Sequence, residues 1–157
     1  MRVLLVCMGN ICRSPMGEGV VRRHLVAASL HERVELESAG THGYHVGEPP
    51  DPRAQKAAAR RGYDISSLRG RRVADEDFAR FDLILAMDAD NLDALRRRCP
   101  PPSAFKVRLF SEFSERWRGE PVPDPYYGGP AGFEQVLDML EDAAAGLVAY
   151  IHQQLPR

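Results

Sequence analysis

The segment VCMGNICRSP, residues 6–15, contains two cysteines, an arginine and a serine within a few positions of one another. Cys7 precedes Arg13 and Ser14 in a C-x5-R-S spacing. An ionised cysteine is a strong nucleophile, and the planar guanidinium of arginine can hold two oxygens of an oxyanion at once. A hydroxyl next to the arginine could donate a hydrogen bond to the thiolate. The spacing therefore predicts nucleophilic attack on a bound tetrahedral oxyanion such as a phosphate group.

The backbone of the same segment predicts a cradle for that anion. Successive amide groups could curl around it, and Gly9 and Asn10 can take the left-handed conformations that such a curl requires. The residues expected to bind phosphate are Met8, Gly9, Asn10, Ile11, Cys12, Arg13 and Ser14. Any one cysteine or arginine alone would be interpreted as an ordinary core or surface residue. Their combination at this spacing favours a functional loop.

A phosphoryl transfer to cysteine also needs a proton donor for the departing oxygen. Asp124 is the candidate general acid, and then general base, because it lies between two prolines in a loop after a predicted strand. Tyr126 and Tyr127 follow at once and could form one wall of a pocket for a flat substrate ring. Tyr44, in another glycine-rich loop, could form the opposite wall. The structural alternative is that these tyrosines only anchor their loops or are incidentally exposed.

These residues need a scaffold that brings strand ends together, and the pattern of the chain predicts one. Residues 2–6 form a continuous apolar run typical of a strand buried on both faces, which ends at Cys7. A helix is expected from Pro15, with Ser14 as its N-cap. In open parallel sheets ligands bind beyond the carboxyl ends of the strands, where a helix N-terminus also favours an anion.

The rest of the chain alternates strands with helices. Further strands are predicted over residues 33–40, 82–87 and 105–110. Further helices are predicted over residues 53–61, 74–81, 88–97 and 132–154. Such alternation implies right-handed crossovers, so we expect an α/β three-layer fold with a four-stranded parallel sheet flanked by helices on both faces. The length of 157 residues, with 44% hydrophobic and 27% charged residues, is typical of a single domain over residues 1–157.

Composition limits the partners of the protein. The formal charge of −1, from 21 basic and 22 acidic residues, gives no overall field that would attract nucleic acid or a membrane surface. No apolar run approaches the roughly 20 residues that span a bilayer, so a cytoplasmic location is expected. The cysteines Cys7, Cys12 and Cys99 are too few for a disulfide framework and are not spaced as zinc ligands. We therefore expect no metal and no cofactor.

Together, VCMGNICRSP and PDPYYGG resemble the low-molecular-weight protein tyrosine phosphatases. The segments SAGT, VGEPPDPRA and FDLILAMD extend the resemblance over nearly the whole chain. The resemblance implies that Cys7 is the nucleophile, Arg13 the phosphate clamp and Asp124 the acid. It implies a monomeric enzyme without cofactors that hydrolyses phosphotyrosine and small aryl phosphate monoesters through a phosphocysteine intermediate.

The resemblance also assigns supporting roles. Ser14 would stabilise the thiolate. Asn10 would order the loop through a bond to Ser38. Asp88 would support the loop region from the neighbouring strand end. Cys12 would be the second loop cysteine of the family, able to form a disulfide with Cys7 under oxidation and so protect it.

Three positions bear on the substrate. The family often carries tryptophan where this chain has Tyr44, and histidine near Leu68, so a link from Glu18 to that histidine is expected to be missing. Relatives that act on phosphoarginine resemble one another in a loop threonine, and this chain has Ile11 there. Isoleucine should restrict the pocket and favour the slimmer phenyl phosphate. Phosphotyrosine is therefore the predicted substrate, and phosphoarginine is the alternative.

Two other functions stay open from the sequence alone. A thioredoxin-coupled arsenate reductase has a similar loop and fold, but it needs further thiols, and this chain offers only Cys99 after the loop. A phosphate-binding module without turnover would need neither Cys7 nor Asp124. We therefore expect an enzyme whose natural partner is a phosphotyrosine-containing protein.

Overall fold

The computed structural model describes residues 1–156, which contain four strands and five α-helices. The strands are β1 (Arg2–Cys7), β2 (Glu35–Gly40), β3 (Leu83–Ala86) and β4 (Val107–Leu109). The α-helices are α1 (Arg13–Ala27), α2 (Pro52–Arg60), α3 (Asp77–Arg80), α4 (Ala89–Arg98) and α5 (Pro130–Gln154). Two 3-10 helices cover Pro101–Lys106 and Phe110–Phe113. Within residues 1–156, no helix combines the length and the apolar character needed to cross a membrane.

The four strands form one sheet in the order β2-β1-β3-β4, and all three pairings are parallel. The predicted α/β fold with a four-stranded parallel sheet is confirmed. All strands end at the same edge, where Cys7 is level with Gly40 of β2 and Val6 is level with Ala86 of β3. That edge positions the candidate site.

The side chains of β1 alternate between two hydrophobic clusters, one on each face of the sheet. Val3 and Leu5 belong to the cluster that includes residues of α1, α2 and α5, while Leu4 and Val6 belong to the cluster that includes residues of α3 and α4. All four side chains are completely buried. Burial on both faces explains why this strand is continuously apolar in sequence.

Some element boundaries differ from the prediction. The strand predicted over residues 105–110 is too long, because 3-10 helices on either side limit it to Val107–Leu109, and Phe105 is exposed. The second strand begins at Glu35, two residues later than predicted. The helix predicted from Asp88 begins one residue later, since that aspartate is its N-cap.

α5 approaches the 3-10 helix Phe110–Phe113 very closely at Gly146. A Cβ atom added at Gly146 would lie 1.7 Å from the carbonyl oxygen of Phe113. Gly146→Ala is therefore expected to lower the free energy of unfolding by about 2 kcal/mol or more, because the two helices would have to separate. Denaturant unfolding measures the loss. Gly132→Ala is the control in the same helix, since its Cβ would meet nothing nearer than 3.9 Å; an equal loss in both variants would contradict this explanation.

Candidate active site

The loop after β1 is held through its carbonyl groups. The carbonyl of Cys7 accepts from the amide of Thr41 at 2.9 Å, and that of Met8 accepts from His42 at 3.0 Å. The carbonyl of Ile11 accepts from an amide at the start of α2, also at 2.9 Å. In the described part of the chain, the amides of residues 8–12 donate to no protein acceptor. The loop therefore keeps a series of N–H groups available for a ligand, as an anion cradle requires.

The two residues expected to allow the curl of the loop act in different ways. Asn10 takes the left-handed conformation, with a φ of 58°. Gly9 does not, so that part of the prediction is wrong. A Cβ atom added at Gly9 would lie 3.2 Å from Cδ2 of His45, so glycine there allows a neighbouring side chain to approach closely.

α1 begins inside the loop, at Arg13, and its N-cap is Cys12. The predictions of Ser14 as N-cap and Pro15 as first helical residue are wrong, because both lie within the first turn. Cys12 makes no side-chain capping hydrogen bond. An uncapped helix N-terminus next to unpaired loop amides favours an anion, since the amides and the helix dipole act together.

Arg13 is 3% exposed, and protein acceptors hold one side of its guanidinium. Nη1 donates to Oδ2 of Asp88 at 2.6 Å and to the carbonyl oxygen of Val122 at 2.9 Å. Nη2 lies 3.9 Å from Oδ2 of Asp124. A guanidinium oriented in this way can present its remaining N–H groups to two oxygens of an anion.

Asp88 joins this guanidinium to the scaffold. It follows β3 and caps α4, where its Oδ1 accepts from the amide of Asn91 at 2.8 Å. Its other carboxylate oxygen accepts from Arg13. The support expected at this strand end therefore acts through the arginine side chain.

Asp124 reaches the same edge of the sheet through the chain before it. The amide of Val122 donates to the carbonyl of Met87 at 2.8 Å, which holds this segment beside the end of β3. The Asp124 side chain is 36% exposed, and its Oδ1 accepts from the amide of Tyr126 at 3.0 Å. The carboxylate therefore lies between solvent and the buried guanidinium.

One cavity of about 230 Å³ lies at this edge, and we call it the catalytic pocket. It is lined by Cys7, Met8, Gly9, Ile11, Cys12, Arg13, Tyr44, His45, Asp124, Tyr126 and Tyr127. The three residues predicted to do chemistry therefore meet there, together with the three tyrosines predicted as walls. Tyr126 and Tyr127 pack edge to face with ring centroids 5.0 Å apart, and Tyr44 stacks on His42 at 5.2 Å.

The lining differs from the predicted set at three positions. Asn10 and Ser14 were predicted to bind phosphate, but both are buried and neither lines the pocket, so only their backbone amides remain candidates for that role. His45 lines the pocket, and the sequence analysis did not single it out. Its position next to Tyr44 was the available signal. Its Nδ1 lies 2.6 Å from Oε2 of Glu48, which orients the ring.

A chain of buried hydrogen bonds supports the loop from behind. The amide of Arg71 donates to Oδ1 of Asn10 at 3.0 Å, which fixes the orientation of that side-chain amide. Nδ2 of Asn10 then donates to Oγ of Ser14 at 2.8 Å and to Oγ of Ser38 at 3.0 Å. Ser38 in turn donates its hydroxyl hydrogen to Oε1 of Glu18 at 2.9 Å.

The direction of this network determines how Ser14 meets Cys7. The serine oxygen and the sulfur are 3.0 Å apart. Because Oγ of Ser14 accepts from Asn10, its own hydrogen must find an acceptor, and within residues 1–156 the contact it makes is with Sγ of Cys7. A thiol that donated to Oγ would leave the buried hydroxyl hydrogen unpaired, at a cost in free energy. The geometry therefore makes Ser14 the donor and the sulfur the acceptor, a contact that would stabilise a thiolate formed there.

The other two cysteines have different surroundings from Cys7. Cys12 is buried, and that burial, with a smaller effect from Asp51, raises the pKa of its thiol, so it keeps its proton at neutral pH. Cys99 is the C-cap of α4. Ten helical residues span about 15 Å, so Cys99 lies far from the end of α4 that Asp88 caps.

Comparison with known proteins gives a consistent result along the chain. The family model described as low molecular weight phosphotyrosine protein phosphatase matches residues 2–157. A low molecular weight protein-tyrosine-phosphatase of Streptomyces coelicolor is 46% identical over 98% of this chain and 95% of its own. A crystal structure of a protein tyrosine phosphatase from Entamoeba histolytica matches with a TM-score of 0.95 at 42% identity, covering 98% of both chains. The arginine phosphatase YwlE, solved as a cysteine-to-serine mutant with a phosphorylated active-site serine, matches with a TM-score of 0.87 at 25% identity, covering 98% of this chain and 97% of its own.

These similarities, with the fold and the loop already described, define the class of protein as a phosphatase, and so a hydrolase. The chain belongs to the low molecular weight protein tyrosine phosphatase family. The resemblance found in its sequence motifs is thereby confirmed.

Proposed function

We propose that the protein hydrolyses phosphotyrosine monoesters, in proteins and in small aryl phosphates, through a phosphocysteine intermediate on Cys7. The observation that carries the proposal is the meeting of Cys7, Arg13 and Asp124 in one pocket. Binding of phosphate alone would require neither a nucleophile nor an acid there. The match of the family model to residues 2–157 supports a single phosphatase domain.

Substrate binding uses the charge of the phosphate group. The unpaired amides of residues 8–12, the N-terminus of α1 and the guanidinium of Arg13 all favour an anion in the pocket. Cys7 lines the same pocket, so a phosphate bound in the loop lies against its sulfur. The hydroxyl of Ser14 lies 3.0 Å from that sulfur and can stabilise its thiolate form by a hydrogen bond.

In the first step, the thiolate of Cys7 attacks phosphorus as the bond from phosphorus to the tyrosyl oxygen breaks. A phosphorus–sulfur bond forms, and Asp124 in its acid form gives its proton to the departing oxygen. Arg13 and the loop amides stabilise the charge on the other phosphate oxygens in the transition state. The products of this step are tyrosine and phosphocysteine.

In the second step, water attacks the phosphorus of the phosphocysteine. The carboxylate of Asp124 removes a proton from that water, and the phosphorus–sulfur bond breaks. The sulfur departs as a thiolate, which accepts the hydrogen bond of Ser14. Inorganic phosphate then leaves the pocket, and the starting state is restored.

The tyrosines at the pocket mouth suit a flat substrate. Tyr127 is 90% exposed and Tyr44 is 71% exposed, although both line the pocket. Exposed aromatic rings at a pocket mouth can pack on a phenyl group and gain from its burial. This arrangement supports an aryl phosphate as the substrate.

Phosphoarginine is the second candidate substrate, and the structural similarity to the arginine phosphatase YwlE favours it. In this chain, the apolar side chain of Ile11 lines the pocket. The isoleucine side chain offers no acceptor to the N–H groups of a substrate guanidinium, and burial of such groups against it costs free energy. Ile11 therefore supports phosphotyrosine over phosphoarginine.

Ile11→Thr tests this choice of substrate. The hydroxyl would supply an acceptor, so the ratio of kcat/KM for phosphoarginine to that for phosphotyrosine is expected to rise by roughly tenfold. Two peptides of otherwise identical sequence measure the ratio. Ile11→Val is the matched control, because it keeps an apolar β-branched side chain and should leave the ratio close to that of the unmodified protein. A preference of the unmodified protein for phosphoarginine would refute the proposed substrate.

Arsenate reduction receives no support from the positions of the thiols. A reductase of that kind would need a third cysteine within reach of the first two. Cys99 is instead the C-cap of α4, at the end of that helix remote from the catalytic pocket.

A further inference from the structure

A second groove lies between α2 and the start of α5, close to the catalytic pocket. Its volume is about 170 Å³. Three cations line it, Arg53, Lys56 and Arg60, together with the buried apolar residues Ala57 and Phe133. We call it the α2–α5 groove. The two hydrolysis steps make no use of it.

Two of the three cations lack an acidic partner. Arg53 is paired with Asp51, whose carboxylate accepts from its Nε at 3.1 Å and its Nη2 at 3.0 Å. Three acids of α5 share the single guanidinium of Arg61, and none of them lines the groove; they are Glu134, Asp138 and Glu141. Within residues 1–156, Lys56 and Arg60 form no ion pair, and both are exposed. The charged side chains that line the groove are therefore all cations, and two of them have no acidic partner in the described part of the chain.

Arg53 connects the α2–α5 groove to the catalytic pocket. Its Nη1 donates to the carbonyl oxygen of Tyr126 at 2.9 Å. Its guanidinium also lies over the rings of Tyr126 and Phe133, 5.2 Å from each centroid. Tyr126 lines the catalytic pocket, whereas Phe133 lines the groove. A peptide whose phosphotyrosine occupies the pocket can therefore reach the groove with a residue close to it in sequence.

We propose that the α2–α5 groove binds an aspartate or glutamate side chain near the phosphotyrosine of the substrate protein. This inference rests on the proposed phosphotyrosine phosphatase function and adds a sequence preference to it. The carboxylate would pair with Lys56 and Arg60, while its carbon chain packs on Phe133. The groove volume of about 170 Å³ has room for one side chain. Its occupant is therefore the side chain of a single flanking acid, and not a larger part of the surface of the substrate protein.

Three phosphotyrosine peptides that differ only in their flanking residues test the inference. These residues are glutamate in the first peptide, alanine in the second and lysine in the third. For the unmodified protein, kcat/KM is expected to be roughly three- to tenfold higher for the glutamate peptide than for the alanine peptide, and the difference should shrink as salt is added. In Lys56→Glu/Arg60→Glu, the order is expected to reverse in favour of the lysine peptide.

Arg96→Glu/Arg97→Glu is the matched control. It makes the same change of charge at the C-terminal end of α4, on the other face of the sheet. It should keep the preference for the glutamate peptide, whereas a response to net charge alone would alter both double variants equally and overturn the inference. Free phosphotyrosine, which has no flanking residue, gives the reference rate for every variant.

The outcomes separate this inference from the proposed function. Equal kcat/KM for the three peptides, or a glutamate preference that survives in Lys56→Glu/Arg60→Glu, would overturn the inference and leave the phosphotyrosine phosphatase function standing. Failure to hydrolyse any phosphotyrosine compound, including the free amino acid, would refute the proposed function and the inference together.

Discussion

Cys7→Ser is expected to lower kcat by a factor of roughly 10⁴ or more, while phosphate binding changes little. A serine hydroxyl stays protonated at neutral pH and cannot attack phosphorus as a thiolate does. The amides of residues 8–12, the N-terminus of α1 and Arg13 all remain in place to hold the anion. Steady-state kinetics with an aryl phosphate measures the first effect, and calorimetric titration with inorganic phosphate measures the second.

Cys99→Ser is the control for this prediction, because it makes the same substitution at the remote end of α4. Its turnover should match that of the unmodified protein. Rapid quenching of the unmodified protein during turnover should also yield one phosphoryl group on the peptide that contains Cys7, detected by mass. Substantial turnover by Cys7→Ser, or a phosphoryl group on another residue, would contradict the mechanism.

Asp124→Asn is expected to slow phenol release from phenyl phosphate in the first turnover by a factor of roughly 10² to 10⁴. An amide has no acidic proton to give to the departing oxygen. Nitrophenyl phosphate should be affected far less in the same step, because its leaving group is stable as an anion. Stopped-flow measurement of the first turnover is needed, since Asp124 also acts in the second step and steady-state kcat falls for both substrates.

The control for Asp124→Asn is Asp93→Asn, which changes an exposed acid on α4 in the same way. It should leave both substrates unaffected. An equal loss with phenyl and nitrophenyl phosphate in Asp124→Asn would show instead that this carboxylate orients Arg13, whose Nη2 lies 3.9 Å away.

Sequence patterns predicted the buried strands well because burial on both faces demands continuous apolar residues. β1 and β3 have that pattern, and they occupy the two central positions of the sheet. The sheet order could not be predicted, since local periodicity does not specify which strands pair. β4 was predicted too long because the exposed Phe105 has the same strand propensity as a buried phenylalanine.

The candidate site was predictable where residue types and spacing carry chemistry. The C-x5-R spacing identified Cys7 and Arg13, and the flanking prolines identified Asp124, all of which line one pocket. Cap preference failed at Ser14, because its hydroxyl contacts Asn10 and Cys7 instead of the first-turn amides. Such competition between partners depends on tertiary structure.

Long-range contacts were beyond the reach of the sequence. The carbonyl of Val122 that accepts from Arg13 is a backbone group, which no residue type reveals. The expected absence of a link from Glu18 to a histidine left that acid without an assigned partner. In the structure, it is buried and accepts from Ser38 and Arg22, both at 2.9 Å.

The two contacts of Asp88 tie folding and anion binding to one carboxylate. One oxygen caps α4 and the other holds Arg13, so both contacts depend on this one side chain. Asparagine would keep a cap but remove the charge, and glutamate would keep the charge but move it away from the helix end. Aspartate alone among these three residue types meets both demands, so a lineage that replaces it must restore either thermal tolerance or phosphate affinity elsewhere.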